Sequence, residues 1–128
     1  MDKKELLSYL LCNTRKYIKE HPNRSTSRYE VFLLEAVIHE QTPETYDERI
    51  FPDIIETLKK DGFDVSNFLL YNSNEEGTFT FMSMDERQMF DIVHDYGNST
   101  IIVYVDEYDN QQECSNIAEA VSKYHYPW

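Results

Sequence analysis

Positive charge all but disappears from this chain after Lys60. Between Asp61 and Ser122 stand thirteen Asp or Glu residues and a single base, Arg87. Lys and Arg supply nucleic-acid affinity by neutralising phosphates, so their scarcity argues against direct DNA or RNA binding by that half. Glycine is scarce as well. Gly62, Gly77 and Gly97 are the only three, scattered one by one. Neither a P-loop nor a dinucleotide fingerprint, which both need clustered glycines at a helix N-terminus, can be drawn through them. Two cysteines, Cys12 and Cys114, are too few for a secreted disulfide scaffold, and their number suggests a reducing, cytoplasmic setting. Long apolar runs are missing too: Leu6 to Leu11 is short and interrupted, which predicts neither a signal segment nor a membrane span.

What remains is ample for folding. The 128 residues are 41% apolar and 14% aromatic, enough burial for one domain over 1–128. Charge divides that domain unevenly. Residues 1–64 hold thirteen acids and ten bases, whereas 65–128 hold eleven acids and two. Net charge reaches −12, beyond the magnitude of roughly 2 to 8 that solubility asks of a small domain. A negative field of that kind attracts cationic partners and repels phosphates and anionic membranes.

Apolar spacing predicts three helices in 1–61. Leu6, Leu7, Leu10, Tyr17 and Ile18 recur at helical intervals over 3–20, where Pro22 stops the pattern. Ser27 with Glu30 reads as a capping box for a second helix with Val31, Leu34, Val37 and Ile38 inward, fading near Gln41. Thr42-Pro43 suggests a short turn, and Pro52 opens a third helix carrying Ile54, Ile55 and Leu58, with Gly62 past its end. From Phe63 the period changes. Asn67 to Tyr71 and Thr78 to Met82 read as a β-hairpin. Ser83 with Glu86 then reads as the cap of a fourth helix ending at Gly97, with Met89, Phe90, Val93 and Tyr96 inward. Thr100 to Val105 reads as a central buried strand parallel to Thr78–Met82, and Asn110 with Glu113 as the cap of a last helix carrying Cys114, Ile117, Ala118, Val121 and Tyr124. The expected fold is α+β: a helical part over 1–61, then a β-β-α-β-α part over 62–128 with a small, mixed, three-stranded sheet.

Chemistry-bearing patterns are thin. Asp91, His94 and Asp95 would share the fourth helix, a carboxylate three residues before a histidine being a two-ligand spacing, but a solvated acidic face is the simpler reading. Asp106, Glu107 and Asp109 could offer oxygen ligands to a divalent cation, yet lack an EF-hand's glycine and spacing. Cys12 lies beside Lys16 on a polar helix side without a relay partner, and Cys114 reads as a core residue. The basic run Arg15, Lys16, Lys19, Arg24 and Arg28 reads as a solvated helix end and loop. No catalytic, cofactor or metal residue is assigned.

Carboxylates with local structural explanations can be set aside: Glu86 and Glu113 as caps, and Glu119 as the i,i+4 partner of Lys123. Glu75, Glu76, Asp91, Asp95, Asp106, Glu107 and Asp109 remain, with Tyr108 among them. In size and composition the chain resembles the small acidic immunity proteins, antitoxins and phage anti-defence proteins, including nucleic-acid mimics and anti-CRISPR inhibitors. That resemblance implies a non-enzymatic inhibitor whose carboxylates engage a basic nuclease, toxin or nucleic-acid-binding effector. Two other readings stand beside it. One is a regulatory interaction module or homodimer, in which the Arg15–Arg28 region meets the acidic half of another copy. The other is a small divalent-metal enzyme using the Asp106 cluster with His94.

Overall fold

The computed structural model of the chain describes residues 2–22, 29–40, 50–74, 76–95, 97–104 and 110–123. Helix α1 covers Lys3–Glu20. Asp2 starts it, its side chain accepting the Glu5 N–H at 2.9 Å, and the His21 N–H closes it on the Tyr17 carbonyl at 3.0 Å. Leu6, Leu7, Leu10, Thr14 and Tyr17 form its buried stripe, as the spacing of three and four residues requires. Helix α2 (Tyr29–Ile38) buries Leu33, Leu34 and Ala36, so its inward face includes Leu34 but not Val31, which stays half-exposed. Ser27 and Thr42-Pro43 lie outside the described residues. Helix α3 (Ile50–Lys60) places Pro52 in its first turn, where an N–H lacks an intrahelical acceptor anyway. Ile54, Ile55 and Leu58 are fully buried, and Gly62 follows the helix with φ +66°, the left-handed conformation that ends many helices.

A short 3-10 turn, Val65–Asn67, leads into five antiparallel strands in the order β1-β2-β3-β4-β5. They are β1 Phe68–Ser73, β2 Thr78–Ser83, β3 Met89–Asp95, β4 Asn98–Tyr104 and β5 Gln111–Cys114, followed by helix α4, Ile117–Lys123. The fold is therefore α+β, with helices before and after an antiparallel meander in place of the expected mixed three-stranded sheet.

Three expectations change with it. Residues 83–95 are a turn and a strand, not a helix. The Ser83 hydroxyl does cap local amides, accepting the Arg87 and Gln88 N–H groups at 3.2 and 2.9 Å, but the turn folds back when the Ser83 N–H reaches the Gln88 carbonyl at 2.9 Å. Glu86 lies at φ +62° there, which a continuing right-handed helix does not allow. The strand expected from Thr100 onward is β4, Asn98–Tyr104, antiparallel to β3 and not adjacent to β2, so β3 is central. Gln111–Cys114, expected to be helical, is the edge strand β5. The true cap lies further on: Asn116 Oδ1 accepts the Glu119 N–H while a Glu119 carboxylate oxygen accepts the Ser115 N–H, both at 2.8 Å.

Strand alternation sets the layers. Leu70, Phe79, Phe81, Phe90, Ile92, Ile101, Val103 and Cys114 join one core with residues from α1, α2, α3 and α4. Phe63 anchors it, with ring centroids 5.1 Å from Phe68, 5.8 Å from Phe81 and 5.7 Å from Phe90. Burying each such ring contributes about 1.5–3 kcal/mol. A smaller cluster of Tyr17, Leu69 and Met82 draws in Tyr71, Met84 and Met89. Helix α1 also protects the β1 edge: the buried Thr14 hydroxyl donates to the Leu10 carbonyl at 2.7 Å and accepts the Leu70 N–H at 3.2 Å, while Asn13 donates to the Val65 and Phe68 carbonyls. Strand edges otherwise template aggregation.

Candidate functional site at one end of the sheet

In a meander the β1–β2 and β3–β4 turns fall at the same end. Here they touch. Asn74 Oδ1 accepts the Glu76 and Thr78 N–H groups at 3.0 Å each, and the Gly77 carbonyl accepts the His94 N–H at 2.9 Å. Gly77 is at φ +92°, and a Cβ there would stand 2.7 Å from the His94 carbonyl oxygen, so the approach depends on glycine. Glu76 and Asp95 are exposed on these adjoining turns.

Helix α3 adds two acids to this end. Asp53, half-exposed, places Oδ2 3.8 Å from His94 Nε2, while His94 Nδ1 is 3.3 Å from the Ser99 hydroxyl across the β3–β4 pair. Beside them opens a cavity of about 480 Å³ bounded by α3, the start of β4 and the β5–α4 junction, with Asp53, Glu56, Lys60, Asp61, Ser99 and Glu113 in its lining. Glu56 is 3.9 Å from Lys59, and Asp61 accepts the Ile117 N–H at 3.3 Å. Among the described residues, no Lys or Arg forms an ion pair with Asp53, Glu76 or Asp95.

The acids singled out in the sequence separate. Glu76 and Asp95 come together at this end. Asp91, expected on a solvated helix face, is only 9% exposed. It points from β3 away from the helices, between its register partners Thr80 and Ile102. Burial raises its pKa above the ordinary carboxylate value, partly offset by a hydrogen bond with the Thr80 side chain. His94 lies on the opposite face of β3 from Asp91, so the helical two-ligand spacing does not arise. Glu75, Asp106, Glu107, Tyr108 and Asp109 lie outside the described residues, as do Arg24 and Arg28 of the basic run. Arg15 of that run is ion-paired with Glu35 of α2.

Sequence reasoning passed over Asp53, Glu56 and Glu113. The first two are three residues apart on the polar side of α3, a signal that was present but indistinguishable from an ordinary solvated face. Glu113 was assigned to a helix cap. A further buried acid, Glu30 of α2, is 1% exposed. One of its oxygens accepts the Ser73 hydroxyl at 3.1 Å and the other has no hydrogen-bond partner among the described residues; burial raises its pKa.

Among the described residues no group of three or more His, Cys, Asp or Glu is arranged to hold a metal ion, and no helix is long and apolar enough to cross a membrane. No protein-family model, curated protein or solved structure matches this chain.

Proposed function

We propose that this chain is a small acidic inhibitor that binds a basic, nucleic-acid-binding protein through the turn end of its sheet. Its carboxylates occupy positions where the partner would otherwise hold phosphates. The observation that carries this reading is that exposed acids from three chain segments, Asp53 and Glu56 of α3, Glu76 of the first turn and Asp95 at the end of β3, lie at one end of the sheet. Carboxylates fixed on short turns and a helix need little reorganisation on binding, and a one-signed field steers oppositely charged partners at high rate. The partner class is a nuclease, toxin or nucleic-acid-binding effector.

Capture from the host on immobilised protein, followed by salt-step elution, tests the proposal. A specific partner should release steeply as salt rises from about 50 to 200 mM and should be displaced by competing oligonucleotide. A partner that stays bound through that range and ignores the oligonucleotide would overturn the proposal.

A further inference from the structure

The five strands contain no Lys or Arg, and the two faces of their sheet are occupied differently. One face packs on all four helices in a single core. On the other, among the described residues, only Tyr17 of α1 joins a buried cluster, with Leu69 and Met82 at the β1–β2 corner. Beyond that corner the register sets Thr80, Asp91, Ile102 and Glu113 in one row across β2 to β5, with Val93 and Thr100 in the next. Val93, Thr100 and Ile102 are half-exposed, and Glu113 is exposed. Asp91 stands apart in this row, because it is nine-tenths buried and has no ion-pair partner among the described residues. An ionised carboxylate offers about four acceptor sites; the Thr80 side chain supplies one donor. Buried charge is ordinarily paired, so this position retains capacity for a cation brought onto the sheet from outside.

We propose that this sheet face receives a basic amphipathic helix of the partner, an inference that rests on the function proposed above. A sheet buries an apolar face against another element, and a helix laid on it is a common solution. Charge selects the occupant. Asp91, Asp95 and Glu113 all point to this side by strand alternation, so a second copy would set carboxylates against carboxylates, and a phosphate chain or anionic membrane would be repelled. A basic helix meets the same groups with opposite sign. Its apolar side chains cover Val93 and Ile102 while an Arg or Lys reaches Asp91, the methylene stem lying along apolar surface and the charged head on the carboxylate. Asp95 also belongs to the turn end, which makes the contact continuous with the surface proposed above.

The test is an amide NMR titration of the whole chain with a capped peptide of about 18 residues, roughly five helical turns, carrying Leu on one side and Arg on the other. A peptide with Ala in place of Leu, which keeps the charge and the helix propensity, runs in parallel. The Leu/Arg peptide should saturate at one site and shift the amides of Thr80, Asp91, Val93 and Ile102, while the Ala/Arg peptide binds about tenfold more weakly. Asp91→Asn, which keeps the side chain's shape, and Ile102→Ser, each checked for an unchanged fold by its spectrum, should lose affinity about tenfold. Phe32→Ser, on the exposed side of α2, should lose none. Shifts centred on α2, equal binding of the two peptides, or undiminished affinity in either sheet variant would each overturn the face assignment. Partner binding separates the two proposals. A partner held in a salt-sensitive way with equal affinity by wild type and both sheet variants sinks the face assignment alone, whereas a partner indifferent to salt sinks the function reading.

Discussion

Replacing Glu30 with Gln should make the protein's stability less dependent on pH, and should stabilise it most under alkaline conditions. The Glu30 carboxyl is buried, with one oxygen held by Ser73 and the other unpartnered among the described residues. Burial raises its folded-state pKa above 4.5, the ordinary value at which it titrates in the unfolded chain. Between those two values the folded protein binds more protons than the unfolded one, so stability falls as pH rises through the window and levels off above the folded pKa. Gln carries no charge at any pH and removes that fall. Leaving a buried polar group unsatisfied costs about 1–3 kcal/mol, more when it is charged. For a chain of this length that corresponds to roughly 3–9 °C in Tm. Thermal unfolding of wild type and Glu30→Gln at pH 5 and pH 8 makes the comparison, because the other titrating groups are common to both proteins. The Tm advantage of Glu30→Gln should be larger at pH 8 than at pH 5. Glu30→Met, which has no polar atom to satisfy, should show the same pH trend. An advantage that is equal at both pH values, or that shrinks as pH rises, would refute the reasoning.

Other sites follow the same physics. Gly77→Ala meets both a positive φ and a carbonyl oxygen 2.7 Å away, whereas Gly97→Ala meets only a positive φ of +84° in open space; chemical denaturation should find the first costing about 2 kcal/mol or more and the second about 1. Thr14→Val removes the buried hydroxyl that accepts the Leu70 N–H, so it should destabilise by about 1–3 kcal/mol and speed hydrogen exchange at the Leu70 amide. Phe63→Ala empties the centre of the ring cluster and should cost about 3–5 kcal/mol in a urea titration.

Helices α1 and α3 were legible because an amphipathic stripe, a stop signal and a turn glycine agreed. The β1–β2 hairpin was legible through its apolar runs and the Asn74–Gly77 turn. Residues 83–97 misled for a definite reason: Met89, Phe90 and Val93 satisfy helical spacing and Ser83 with Glu86 satisfies a capping box. The structure uses a different period there, Phe90 and Ile92 packing in the core while Met89, Asp91 and Val93 face the other way. The β-branched pair Ile92-Val93 and the aromatic-rich neighbouring strands favour that alternative, but short segments satisfy both periods and tertiary pairing decides. The same competition moved the last cap from Asn110 to Asn116. The acidic surface suffered in consequence. A helical wheel put Asp91 and Asp95 together on an open face, whereas on the strand Asp91 is buried in mid-sheet and Asp95 stands exposed at the turn. What puts Asp95, Glu76 and Asp53 at one end of the sheet is the pairing of β2 with β3 carried on by the Gly77–His94 hydrogen bond, and the packing of α3 against His94, long-range features that no local pattern encodes.

The most direct measurement of the central claim is the partner's affinity for two single charge reversals of equal size, Asp95→Lys at the turn end and Glu20→Lys at the end of α1. Glu20 is exposed and adjoins His21, which lies 3.8 Å from Glu86 on the turn at the other end of the sheet. Both variants change net charge equally, so a nonspecific field effect moves them together. A docked turn end predicts a loss of about tenfold for Asp95→Lys at low salt, shrinking as salt is added, against a change of less than about threefold for Glu20→Lys. Equal losses for both, or a larger loss for Glu20→Lys, would contradict it.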